Sequence, residues 1–174
     1  STIGLGVDSV KNGGQGLLFA NTRTSAAKLA VDSGPPIEKI LSKNELNELL
    51  KISKKILANN EHTQLVKKLA FVIKQGVAFH HAGLNQKCRE IIENEFRSGK
   101  IKLLSATPTL AAGVNLPARR VVISSVLRYN SQYGGNVPIS VLEYKQLCGR
   151  AGRPQYDDEG ESIIIGKNNQ ELLL

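Results

Sequence analysis

From Gln15 onward the chain alternates two textures: short, almost unbroken apolar runs, and longer stretches in which apolar residues return every three or four positions. Gln15-Gly16-Leu17-Leu18-Phe19-Ala20 reads as a strand that ends at Asn21-Thr22-Arg23, after which Ala26, Ala27, Leu29 and Ala30 favour helix. Gly34-Pro35-Pro36 predicts a break in the chain, and Leu46, Leu49, Leu50, Ile56 and Leu57 then recur at helical spacing up to Asn59-Asn60. Leu65, Leu69, Val72 and Ile73 mark another amphipathic helix. Val77-Ala78-Phe79 is long enough only for a buried strand, and His80-His81-Ala82-Gly83 follows it. Cys88, Ile91, Ile92 and Phe96 form the inner stripe of a helix closed by Gly99.

Ile101 to Ala106 and Arg120 to Val126 are two further strands, separated by a helical turn around Thr109 to Ala112. Val141 to Arg150 reads as a helix and Glu161 to Gly166 as a last strand. Strands apolar along their whole length are buried on both faces, and their alternation with helices predicts an α/β fold: a mostly parallel sheet with helices on both sides. In such a sheet ligands collect beyond the C-terminal strand ends. The loops at 20–23, 80–84, 106–115 and 126–138 are therefore expected to share one edge.

At 174 residues the chain suits a single domain with a real core. A net charge of +8 favours a polyanionic partner. Cys88 and Cys148 fit no metal-ligand or disulfide spacing, so both read as small buried hydrophobes and no metal site is expected. No run approaches the length of a membrane span, and no signal-peptide core stands at the N-terminus; a reducing cytoplasmic or nuclear setting follows. The absence of methionine and the opening on Ser1 suggest a piece of a longer polypeptide.

The chemistry concentrates in Gly149-Arg150-Ala151-Gly152-Arg153, two arginines three positions apart among residues of minimal bulk. If the helix continues to Arg150, the pair projects in nearly one direction. No G-x-x-x-x-G-K-[ST] run and no acidic strand-end cluster for Mg²⁺ occurs, so this chain alone does not cradle the terminal phosphates of a nucleotide. Arginines supplied from outside the phosphate-binding domain fit phosphoryl transfer, where they stabilise transition-state charge. A structural salt-bridge helix is the plainer alternative.

Gln146 to Pro154 resembles motif VI of the superfamily 2 helicases, and Ala106 to Ala118 resembles their motif V. Leu18 to Arg23 is similar to motif IV, and Phe79 to Leu84 with Phe96 to Lys100 to the segment after it. Gly-Val-Asn-Leu-Pro-Ala and Gly-Arg-Ala-Gly-Arg-Pro-Gln-Tyr-Asp most resemble the Ski-type branch, which includes archaeal fork-repair, splicing and exosome helicases; Val141 to Gln146 leans toward the fork-repair members. The resemblance covers about 15–166 and implies the second of two RecA-like domains, the first carrying the Walker motifs, ATP and Mg²⁺.

Carried over by position, the resemblance makes Arg153 the arginine finger, Arg150 its companion, and Gln146, Gly113 and Asn115 nucleotide contacts. Asn115 stands where many relatives of the DEAD type carry Asp near the ribose, a departure normal within the Ski-type branch. It makes Thr22, Arg23, His81, Gly83 and Thr107 contacts to the backbone of one nucleic-acid strand. The plainer alternative for Thr107 is a helix cap, and for His81, as for His80, a buried hydrogen-bonded histidine. Gly134-Gly135 signals a hairpin, in which Arg128, Tyr129 and Tyr133 either separate strands or belong to an ordinary loop packed on the domain. Asp157-Asp158-Glu159 with Glu161 reads as a solvated loop or an interdomain ion pair, and 35–60 as a helical insertion. The expected whole is an ATP-dependent 3′-to-5′ DNA helicase acting at stalled forks on single-stranded or forked DNA. An RNA helicase of the exosome or splicing type and a non-catalytic nucleic-acid-binding module are the alternatives.

Overall fold

The computed structural model of the chain describes residues 1–155 and 157–166. Its elements are α1 (Thr2–Lys11), β1 (Gly16–Phe19), α2 (Arg23–Glu38), α3 (Lys43–Ala58), α4 (Gln64–Ile73), β2 (Val77–His80), α5 (Gln86–Arg97), β3 (Leu103–Ala106), α6 (Thr109–Gly113), β4 (Arg120–Ile123), β5 (Leu127–Asn130), β6 (Gly135–Pro138), α7 (Val141–Cys148) and β7 (Glu161–Ile164). Five strands form one sheet in the order β2-β3-β1-β4-β7, all parallel, and β5 pairs antiparallel with β6 as a separate hairpin.

The apolar runs dictate this sheet. Every residue of β1, β2 and β3 is buried, so these strands need cover on both faces. α1 lies against β1 and β4, α2 against β2 and β3, α4 and α5 against β2, and α7 against β4. Leu17, Leu18, Phe19, Phe79, Leu104, Val121 and Val122 fill the centre of one continuous core. This is the α/β, RecA-like architecture expected from the sequence.

Helix starts follow from side-chain caps. Thr22, Ser42, Thr63, Asn85 and Ser140 each accept a hydrogen bond from the backbone N–H three residues on, and Ser42 with Glu45 completes a capping box. Each such cap contributes about 1 kcal/mol. The Thr22 cap fixes where the loop after β1 turns into α2.

The structure departs from the periodicity in three places. α1 was not foreseen: Gly4 and Gly6 lower its intrinsic helicity, but Gly6 lets the helix approach the sheet so closely that a Cβ there would lie 2.8 Å from Leu103 Cδ1. Tertiary contact replaces propensity. Nor does the chain break at Gly34-Pro35-Pro36, since both prolines lie within the end of α2, which continues to Glu38. Gly34 is there for space, a Cβ at that position falling 2.0 Å from Gln75 Oε1. The chain turns at 39–42 instead, and α3 contributes Leu49, Ile52 and Ile56 to the common core. Finally, α7 ends at Cys148 rather than at Arg150. Cys88 is buried, whereas Cys148 is half-buried, with the Ser162 hydroxyl donating to its sulfur at 3.0 Å.

Candidate nucleic-acid and nucleotide site

The register sets the first group. Phe19 is aligned with Ala106 and Ile123, and Ala106 with His80, so these strands end at one level and the loops after them form one edge. Thr22 and Arg23 start α2 there and are exposed, and the Thr22 hydroxyl bonds to Ser25 N (3.0 Å) and Ser25 Oγ (2.7 Å). His81 follows β2, stacks on Phe79 with ring centroids 5.6 Å apart, and is almost wholly buried. Its Nδ1 accepts from Gly83 N at 3.0 Å, which leaves the ring proton on Nε2. Burial, then the charges of Arg23 and His80, pull its pKa below the ordinary histidine value. His81 is therefore a neutral donor at pH 7. A methyl at Gly83 would lie 2.9 Å from the His81 ring and 3.5 Å from Arg23 Nη1, so these two loops, far apart in sequence, converge.

His80 takes the plainer role. Its Nε2 pairs with Glu93 Oε1 at 2.8 Å, and burial lowers its pKa despite that carboxylate. Thr107 is buried; its N–H donates to His80 O (3.3 Å) and its hydroxyl meets Thr109 Oγ1 at 3.1 Å. It does not cap α6, whose N-cap is Pro108 without a side-chain bond.

The hairpin grows from the same edge. Ser124 donates to Phe19 O at 2.6 Å, the Asn21 side chain donates to Leu127 O, and Arg128 pairs with Glu143 at 3.1 Å. Gly134 turns with φ +60°, a left-handed conformation that favours glycine. Tyr129 and Tyr133 are 65% and 77% exposed, not packed onto the domain.

The arginines lie at the other end of the sheet. Gly149 caps α7, and the chain then turns beside the segment that enters β4: Ala118 N donates to Arg150 O (2.9 Å) and Gly152 N to Ala118 O (2.7 Å). The expected single helical face is thus replaced by two separately held side chains. Arg150 Nη1 donates to Asn115 Oδ1 at 3.1 Å, an intradomain contact. Arg153 donates through Nε and Nη2 to the two oxygens of Asp157 (2.7 and 2.8 Å) and through Nη1 to Gln15 Oε1 (2.8 Å). This bidentate contact holds the Asp157 carboxyl below the usual carboxylate range. Glu161 pairs with Arg120 at 2.6 Å. The Asp157 side chain is therefore a buried intradomain partner rather than part of a solvated loop, whereas Asp158, Glu159 and Glu161 are exposed, as expected of one.

A cleft of about 680 Å³ runs past this flank, lined by Gln15, Asn115, Arg153, Arg97 and Lys102 among others. Gly113 offers open space next to its own backbone, and Gln146 is exposed on α7. Sequence reasoning missed Gln15, which it read only as the start of an apolar run, and Asp157. The available signal for Gln15 was a single polar amide directly before the apolar run Gly16-Leu17-Leu18-Phe19. Among the described residues no group of three or more His, Cys, Asp and Glu side chains is placed to hold a metal ion, and no helix is long and apolar enough to cross a membrane.

A parallel RecA-like sheet thus carries clustered polar loops at one end and a glycine-flanked arginine pair at the other, the arrangement of a second helicase motor domain. The chain belongs to the helicase conserved C-terminal domain family, which matches residues 3–155. It is 47% identical over 165 residues to the ATP-dependent DNA helicase Hel308 of Methanocella arvoryzae, covering 95% of this chain and 22% of that protein. The protein of the same name from Methanococcus vannielii is 44% identical over 167 residues (95% of this chain, 22% of that one). That of Caldivirga maquilingensis is 41% identical over 177 residues (99% and 23%). The chain spans about a fifth of the length of these relatives.

Proposed function

We propose that this chain is the second motor domain of an ATP-dependent DNA helicase that unwinds 3′ to 5′ at stalled replication forks in the archaeal cytoplasm. The observation that carries this reading is the separation of two kinds of site: arginines on one flank, strand-end loops and an aromatic hairpin on the opposite edge. ATP and Mg²⁺ are held mainly by a first RecA-like domain of the same polypeptide. Closure of that domain brings Arg150 and Arg153 to the phosphates, with Gln146, Gly113 and Asn115 along the nucleotide. An arginine in this role is worth about 10³–10⁵ in turnover.

Thr22, Arg23, His81, Gly83 and Thr107 line the path of one DNA strand. Hydroxyls, a neutral imidazole and backbone amides suit phosphate oxygens and carry no sequence code, as a translocase requires. Opening and closing of the two domains moves this edge along the strand. The hairpin stands where a duplex meets that path, and Tyr129 and Tyr133, supported by Arg128 on Glu143, stack on the last base pair. Base stacking worth about 1–3 kcal/mol matches the cost of one base-pair step. Alone, the chain hydrolyses nothing measurable.

The test is Arg153→Ala in the full-length polypeptide. ATP turnover falls at least about 10³-fold while single-stranded DNA affinity stays within about twofold. Equal loss of both would instead indicate a binding module without catalysis.

A further inference from the structure

Arg153 is held in a way the helicase reading does not by itself require. Asp157 occupies the Nε/Nη2 fork of its guanidinium with both carboxylate oxygens, and one of them also accepts from Arg153 N at 3.0 Å. The carboxylate is only 4% exposed and the arginine side chain 17%. From the other side, Gln15 Oε1 accepts from Nη1. Gln15 cannot drift, because its own amide donates to Phe96 O and Ile101 O, each at 2.7 Å, directly beneath the first residue of β1. The guanidinium is thus tied to the rim of the central sheet by a residue 138 positions earlier in the chain. Both groups that hold it are buried polar side chains, and such groups are retained at a cost unless their bonds are made.

Resting on the reading of Arg153 as the residue that reaches the nucleotide's terminal phosphate, we propose that Gln15 and Asp157 are positioning residues that orient Arg153 toward the cleft before the domains close. The alternative roles of the same contacts differ in consequence. A latch that withholds Arg153 would have to be broken at each turnover, and a fork filled by a mostly buried carboxylate is poorly suited to repeated release. A merely structural pair would affect folding and leave the reaction untouched. Orientation fits the double tether, since a catalytic group displaced by about 1 Å loses about 100-fold in rate.

The experiment is a double-mutant cycle in the full-length polypeptide, reading ATP turnover stimulated by single-stranded DNA. Asp157→Asn lowers kcat about 10- to 100-fold and changes the KM for ATP by less than about threefold. Added to Arg153→Ala it produces no further loss, because it acts through Arg153. If thermal melting shows Asp157→Asn to be unfolded, the cycle is run with Asp157→Glu, which keeps the charge and displaces the fork, and the same non-additivity is expected. Additive losses, an increased turnover, or a lowered melting temperature with unchanged kcat would each overturn the proposal. Failure of the underlying reading is seen separately, in full turnover by Arg153→Ala alone.

Discussion

The strand-end edge and the arginine flank are built by different means. At the edge, position comes from secondary structure: parallel strands end at one level, caps start the helices, and Thr22, Arg23, His81 and Thr107 fall where the backbone leaves them. At the flank, position comes from side chains reaching over long sequence distances, Asn115 to Arg150 and Gln15 to Arg153. The proposed tasks explain the contrast. A path for a moving strand needs many shallow contacts, whereas a charge offered to one phosphate needs a single geometry.

The largest effect expected from this contrast is at Arg153. Arg153→Lys keeps the charge but has no fork for Asp157 and Gln15, so turnover stays below about 1% of wild type, as low as for Arg153→Ala. Rescue by lysine, measured by steady-state ATP hydrolysis, would mean that charge alone suffices and that the flank is no more precise than the edge. A smaller effect concerns the hairpin. Tyr129→Ala with Tyr133→Ala lowers the unwinding rate of a forked duplex about tenfold while leaving single-strand-stimulated ATP hydrolysis unchanged. Equal loss of both activities would remove the stacking role.

The smallest effect separates the two regions by pH. His80 and His81 have pKa values lowered in the fold, so their contribution is present above about pH 6.5 and is lost as the histidines are forced to protonate at lower pH. The Asp157 carboxyl is also lowered, and its contribution persists until the pH falls below about 3.8. Between pH 7.5 and 5.5 the melting temperature should fall about 2–4 °C. His81→Asn should reduce that slope and Asp157→Asn should leave it unchanged. A slope altered by Asp157→Asn would show the regions to be coupled.

Much of the edge was legible in advance because its causes are local. Leu17-Leu18-Phe19 and Val77-Ala78-Phe79 announce buried strands, so the loops after them were placed correctly on a common edge. α1 escaped notice because its glycines read as loop until the sheet is present to pack against Gly6. The prolines of α2 misled for a related reason: each removes a helix N–H, yet α2 runs through Pro35 and Pro36 to Glu38 and buries Ile37 in the common core. The arginines were expected on one helical face, since a spacing of three suggests one, but the chain has already left the helix at Cys148.

The amino-acid sequence by itself determined the class of fold and the family, because apolar periodicity, capping residues and short motifs act over a few neighbouring positions. Only the tertiary structure decided how the arginines are held. The pairing of Asn115 with Arg150, and of Gln15 with Arg153, depends on which ends of a parallel sheet two distant segments reach. Hydrogen bonds of that kind are set by packing around a common core, to which no local pattern in the chain gives access.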